Sequence, residues 1–188
     1  MISFLGVCAF PPIRQKKANG WGTSLIQIHT VKDLIRMKTL ANATDKEEIV
    51  RRLRALGPSS QRRWGKMSVG EMVCHLNDAL KIAMGERKAK SISNWFTRTV
   101  MKRAGLSVPM KWPHGVQTVP ECEAGKGGTP PAELERDLNE LHELLDRFVR
   151  RPRQFELAEH SIFGVMSDEE WMRWGYLHMD HHLRQFGA

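Results

Sequence analysis

Cysteine is scarce in this chain, three residues in 188, at positions 8, 74 and 122. An odd number at wide spacing builds no disulfide framework, and no C-x-x-C pair offers a redox or zinc motif. A reducing, cytoplasmic setting is therefore the expectation. Long apolar runs are also missing: nothing approaches the ~20 residues that a spanning helix needs. No membrane partner is expected on that ground. The opening MISFLGVCAF places no basic residue ahead of its short apolar stretch, as a secretory signal usually does. No segment alternates apolar and polar residues in the manner of a half-buried strand, and no internal repeat is present. Wholesale disorder is excluded by 41% hydrophobic residues and six tryptophans.

What is present in excess is positive charge, a formal +8, and it is unevenly placed. Residues 1–36 carry +4, residues 37–84 another +4, residues 85–115 +6, and residues 116–188 carry −6. The basicity is segmental and does not belong to the fold as a whole. In 85–115, Arg87, Lys88, Lys90, Arg98, Lys102, Arg103 and Lys111 interleave with Trp95, Phe96 and Trp112. Basic residues mixed with aromatics suit single-stranded nucleic acid or an anionic substrate. A solvated connection covering one end of the fold is the plainer expectation.

Residues 1–36 show no sustained period and read as an N-terminal extension, with the domain over 37–188. From Met37 onward the text becomes regular, and Met37 is itself a candidate start. Thr44-x-x-Glu47, Ser68-x-x-Glu71 and Ser167-x-x-Glu170 each fit a capping box. Thr129-Pro130 places a capping residue before a proline at the first helical position. The implied helices run over about 45–56, 69–84, 131–150 and 168–186, bounded by Gly57-Pro58, Gly85, Pro152 and Gly187. In the third, Leu134, Leu138, Leu141, Leu145 and Phe148 recur at helical steps. The expectation is an all-α four-helix bundle with a long connection over 85–129. That connection should hold one short helix near 93–104 and a Gly/Pro-rich loop over 105–129.

The last helix carries His178 and His182 four residues apart, so their imidazoles share one face and can converge on one ion. His181 is rotated about 100° from His182 and cannot join them with ideal geometry. Met172, Tyr176, Met179, Leu183 and Phe186 form an apolar stripe beside the pair. Met179 follows His178 where a zincin protease would place its glutamate, which disfavours protease chemistry. His75, on the second helix in line with Met72 and Ala79, is the best third ligand. The alternative is a solitary core histidine bonded to a carbonyl. Glu71 serves either as its hydrogen-bond acceptor or only as the capping-box carboxylate. Cys74 points about 100° away from His75 and is expected to be an inert buried thiol.

Trp64-Gly-Lys-Met-Ser-x-x-Glu-Met-x-x-His75, His160-x-x-Phe-Gly, and His178-x-x-x-His182 before Leu-Arg-Gln-Phe-Gly together resemble the DinB/YfiT-like superfamily. The nearest likeness is a small branch whose chains also end His-His-Leu-Arg-Gln-Phe-Gly. The resemblance covers about residues 37–188. It implies a four-helix bundle holding a divalent metal through His75, His178 and His182, with His181 in a position that is not a ligand in relatives. Relatives include thiol-dependent S-transferases and an isomerase that uses a low-molecular-weight thiol, and dimers are common among similar bundles. Ser161 departs from the proline expected after His160.

Three neutral imidazoles leave a coordination position open, which marks a catalytic rather than a structural site. Zinc suits this ligand set best, with nickel or iron also compatible. Trp64, His160, His181, Arg184 and Gln185 are the candidate pocket residues. The expected function is a metal-dependent transferase or hydrolase on a small molecule, with a thiol-linked substrate as one class. The rivals are a non-catalytic metal-stapled bundle and a nucleic-acid binder working through 85–115.

Overall fold

The computed structural model describes residues 36–108, 110–116 and 118–188. The N-terminal extension over 1–36, Cys8 included, lies outside them apart from Arg36. Five α-helices are present among the described residues: α1 (Ala43–Arg54), α2 (Val69–Ala83), α3 (Lys102–Ser107), α4 (Leu134–Val149) and α5 (Asp168–Gln185). A π-helical turn, Thr97–Met101, runs directly into α3, and a 3-10 turn spans Pro120–Cys122. No strand forms among the described residues, so the chain is helical as its periodicity predicts.

Both serine capping boxes form in full. Ser68 and Glu71 close the start of α2, and Ser167 and Glu170 close the start of α5. The box predicted at Thr44 does not form. Asn42 caps α1 instead, accepting from Asp45 N–H at 3.2 Å. Asp45 cannot serve as an ordinary solvated first-turn residue, because its buried carboxylate holds Arg36 and the Thr39 amide.

Thr129 does not open α4 either. Its N–H and hydroxyl both go to the fully buried Asp78, at 2.7 and 2.8 Å. A buried carboxylate without donors costs more than an unmade cap. The chain therefore passes through two prolines and begins α4 at Leu134, where the Asp137 carboxylate takes the Ala132 amide at 3.0 Å. The short helical segment predicted over 93–104 lies a few residues later, as the π turn and α3.

α2 packs along α4, while α1 and α3 pack on α5. The α4 stripe is inward, with Leu141, Leu145 and Phe148 fully buried and Leu134 and Leu138 partly so. They meet Ile49, Leu53, Met72, Leu76, Leu80, Met172, Met179 and Leu183 in one core. Burying each such side chain contributes about 1.5–3 kcal/mol. Gly175 sets how close α5 comes to the segment before α1, since a Cβ there would lie 2.6 Å from Leu40 Cδ1. His75 of α2 meets His178 and His182 of α5.

Candidate metal centre

The face of α2 that carries His75, Ala79 and Ile82 looks across a cavity at α5. His75 Nε2 and His178 Nε2 lie 3.0 Å apart, and the His75 and His182 ring centroids lie 4.7 Å apart. One ring nitrogen from each of His75, His178 and His182 falls within 4.8 Å of the other two, so these histidines could hold a metal ion.

The Nδ1 atoms decide what these rings offer. His75 Nδ1 lies 3.0 Å from the Cys122 carbonyl, which can only accept, so Nδ1 carries the proton and Nε2 is bare. The Gln185 side-chain amide donates through Nε2 to the Trp64 carbonyl at 2.9 Å. That leaves Gln185 Oε1, 3.0 Å from His182 Nδ1, to accept the His182 proton. His182 Nε2 is thereby bare as well. Two bare lone pairs repel at the His75–His178 separation, so a proton on His178 or a shared cation must reconcile them.

Burial, above all, holds His75 below its ordinary pKa. Burial and then the neighbouring imidazoles push His178 and His182 well below theirs. Neutral rings are what a cation needs as ligands. Tetrahedral zinc at 2.0–2.1 Å bonds separates its nitrogens by about 3.3 Å, close to the 3.0 Å between His75 and His178, and all three ligand atoms lie within 4.8 Å of one another. The donor set fits a divalent ion.

The supports of the two Nδ1 bonds come from distant parts of the chain. Asp78, one turn after His75, gathers Arg87 Nη1 at 2.6 Å as well as the two Thr129 donors. Arg87 also bonds the Gly127 carbonyl. This clamp fastens the connection containing Cys122 against α2. On the other side, Arg63 N–H donates to the Gln185 carbonyl at 2.7 Å. Gly65 has φ +80°, and a Cβ there would collide with Gln185 Nε2. The Trp64-Gly motif thus exists to let a backbone carbonyl approach the Gln185 amide.

Gln185 is therefore a positioning residue for His182. Glu71 makes the capping box and is no partner of His75. Trp64 stacks on His114 with ring centroids 4.0 Å apart and meets the edge of His181 at 6.1 Å. His181 lines the cavity, and its Nδ1 is buried without a partner among the described residues. Burial, then the Arg184 charge and His114, bring its pKa down to about 4. Arg184 instead pairs with Asp180 at 2.8 Å, within a cluster that includes Arg52, and is not part of the cavity wall. Cys74 meets the buried Asp137 carboxylate, and burial first and that charge second push its thiol up to about 12. It stays an inert thiol.

His160 lines the same cavity in a different state. Its Nδ1 accepts the amides of Ile162 and Phe163, both at 3.1 Å, and its backbone exchanges two hydrogen bonds with Gly164. The His160-x-x-Phe-Gly motif is a closed turn, with Gly164 at φ +68°. Burial lowers the His160 pKa to about 4.

The Cys122 carbonyl and His114 carried no sequence signal, since both reach the site through the long connection. Trp112 was visible only as one aromatic of the basic stretch. It turns inward, 6.2 Å from His178, while Trp95 is 75% exposed. Arg87 and Lys102 of that stretch pair with Asp78 and Glu170.

These features define a helical protein with a three-histidine cluster at the side of a cavity. The chain belongs to the family described as protein of unknown function (DUF1569), whose profile matches residues 35–188. No curated protein and no solved structure matches it. Among the described residues, no helix is long and apolar enough to cross a membrane.

Proposed function

We propose that this protein is a divalent-metal-dependent enzyme on a DinB/YfiT-like four-helix bundle, a transferase or hydrolase acting on a small molecule. In this reading α1, α2, α4 and α5 are the bundle, and His75, His178 and His182 hold the ion. Zinc is the first expectation, with nickel and iron compatible with the same imidazoles. The observation that carries the reading is the pair of Nδ1 bonds, from His75 to the Cys122 carbonyl and from His182 to Gln185, which turn two bare Nε2 atoms toward His178. Histidine ligands of metals are usually held by such partners.

A bound divalent ion with an open position polarises a carbonyl and acidifies a water or thiol. The chain's own residues do the rest. The Cys122 carbonyl and Gln185 orient the ligating rings, and Trp112 and Trp174 keep bulk water from His178, with centroids at 6.2 and 4.8 Å. His181, neutral beside the cluster, forms part of the wall against which a bound molecule rests. Three ligands beside an open cavity favour this over a closed structural ion, which normally has four protein ligands. The substrate is a small molecule, with a low-molecular-weight thiol as one class.

Metal analysis of full-length protein purified without a histidine tag should find about one divalent ion per chain, the number one three-histidine site holds. His178→Ala should strip the ion while retaining the helical circular dichroism. A folded, metal-free wild-type protein that takes up no zinc, nickel or iron on addition would overturn the reading.

A further inference from the structure

The cavity beside the histidines has a volume of about 380 Å3, within the range of about 300–1,000 Å3 usual for small-molecule sites. Among the described residues, no lysine, arginine, aspartate or glutamate lines it, although such residues make up 27% of the chain. The charged residues around it are turned elsewhere. Lys102 reaches Glu170 and the Val165 carbonyl, Arg98 reaches Ser93, and Arg173 reaches the carbonyls of Leu106 and Lys38.

The walls are aromatic and thioether-rich: Trp112, Phe163, Trp174, Met67, Met101 and Met110. Trp112 donates its indole N–H to the Gly105 carbonyl at 2.9 Å, so its contribution to the cavity is the ring. Aromatic rings and methionine sulfur make favourable contacts with flat, polarisable groups. The polar side chains on the lining are few and uncharged, among them Thr118 and Ser161; on two further lining residues, His181 Nδ1 and Trp171 Nε1 are buried and unpartnered among the described residues.

The three imidazoles are neutral, so a divalent ion held there keeps its full charge. With no carboxylate among the described residues of the cavity, the ligand is left to offset it. We propose that the site takes a compact aromatic molecule bearing one anionic donor group, a thiolate or carboxylate, and that it rejects highly polar thiols with several charges. This rests on the metal reading for the donor end of the ligand, and on the wall chemistry alone for the aromatic end. A multiply charged molecule would leave charges in an apolar cavity with no counter-charge.

The test uses zinc-loaded full-length protein and titration calorimetry with naphthalene-2-thiol, naphthalene-2-carboxylate and glutathione. The better naphthyl probe should bind about 30-fold or more tighter than glutathione, the factor expected from burying one large apolar group. Which naphthyl probe is tighter identifies the donor group. Met101→Glu, at a 41% exposed cavity-edge position that tolerates polarity, sets a like charge against the anionic probes and should weaken them about tenfold without changing metal content.

Glutathione binding as tightly as the naphthyl probes, in protein that holds its metal, overturns the substrate class and leaves the metal reading standing. Naphthyl preference retained in protein that proves unable to hold metal upholds the aromatic cavity and removes the metal reading. Failure of Met101→Glu to weaken naphthyl binding overturns the assignment to this cavity.

Discussion

Two histidine regions share one cavity and are built in opposite ways. In the 160–164 turn, Nδ1 of His160 accepts two backbone amides, and its proton must lie on Nε2. In the cluster, Nδ1 of His75 and Nδ1 of His182 donate, and their Nε2 atoms are bare. All are buried and kept neutral, so burial does not distinguish them. What distinguishes a ligand-competent imidazole from a structural one is the partner of its second nitrogen. A carbonyl or amide oxygen frees the far lone pair, whereas a backbone N–H consumes the near one.

The sharpest way to break this contrast is to remove one histidine from each region. His75→Ala should drop the metal content from about one ion per chain to near zero, measured by elemental analysis. His160→Ala should leave that content unchanged. It should instead lower unfolding free energy by about 1–3 kcal/mol in denaturant titrations, because two backbone amides lose their acceptor. Equal metal loss in both variants would erase the distinction.

A smaller effect is expected one step back from the ligands. Gln185→Leu removes the acceptor of the His182 proton and should weaken zinc affinity about 10- to 100-fold in a chelator competition. Gln185→Glu keeps an acceptor for His182 but sets a carboxylate oxygen against the Trp64 carbonyl, so it should recover only part of the loss. An unchanged affinity in the leucine variant would show that His182 needs no such partner.

Acid should act on the turn in a predictable direction. His160 titrates near 4 in the folded chain, against about 6.5 when unfolded. The unfolded state therefore binds the extra proton between those values, and stability falls as pH drops from about 6.5 toward 4. For this one group the slope is at most about 1.4 kcal/mol per pH unit. Thermal melts of metal-free protein should show a shallower acid slope in His160→Asn than in wild type.

The smallest effect belongs to Gly65→Ala. The left-handed backbone costs about 1 kcal/mol with a side chain. The new Cβ also displaces the Gln185 amide, so zinc affinity should fall several-fold, by about half the Gln185→Leu effect on a logarithmic scale.

Much of this protein is local in origin and was legible in the sequence. The serine capping boxes, the α4 leucine stripe and the one-turn spacing of His178 and His182 all depend on residues within a turn or two. The misplaced starts at Thr44 and Thr129 have one cause. Buried carboxylates, Asp45 and Asp78, recruit donors that local rules assign elsewhere. Arg184 and Gln185 looked alike as neighbours of the histidine pair. Asp180 holds the first away, and the Trp64 carbonyl turns the second toward His182.

The sequence by itself determined that the chain is helical, where the two serine-capped helices begin, and that histidines could converge. Tertiary structure alone decided which nitrogen His75 and His182 present and that the described residues lining the cavity carry no lysine, arginine or carboxylate. Those properties depend on bonds between residues such as His75 and Cys122, 47 positions apart, or Trp64 and Gln185, 121 apart. Hydrogen-bond polarity and desolvation arise only where distant groups meet, so no local pattern can encode them.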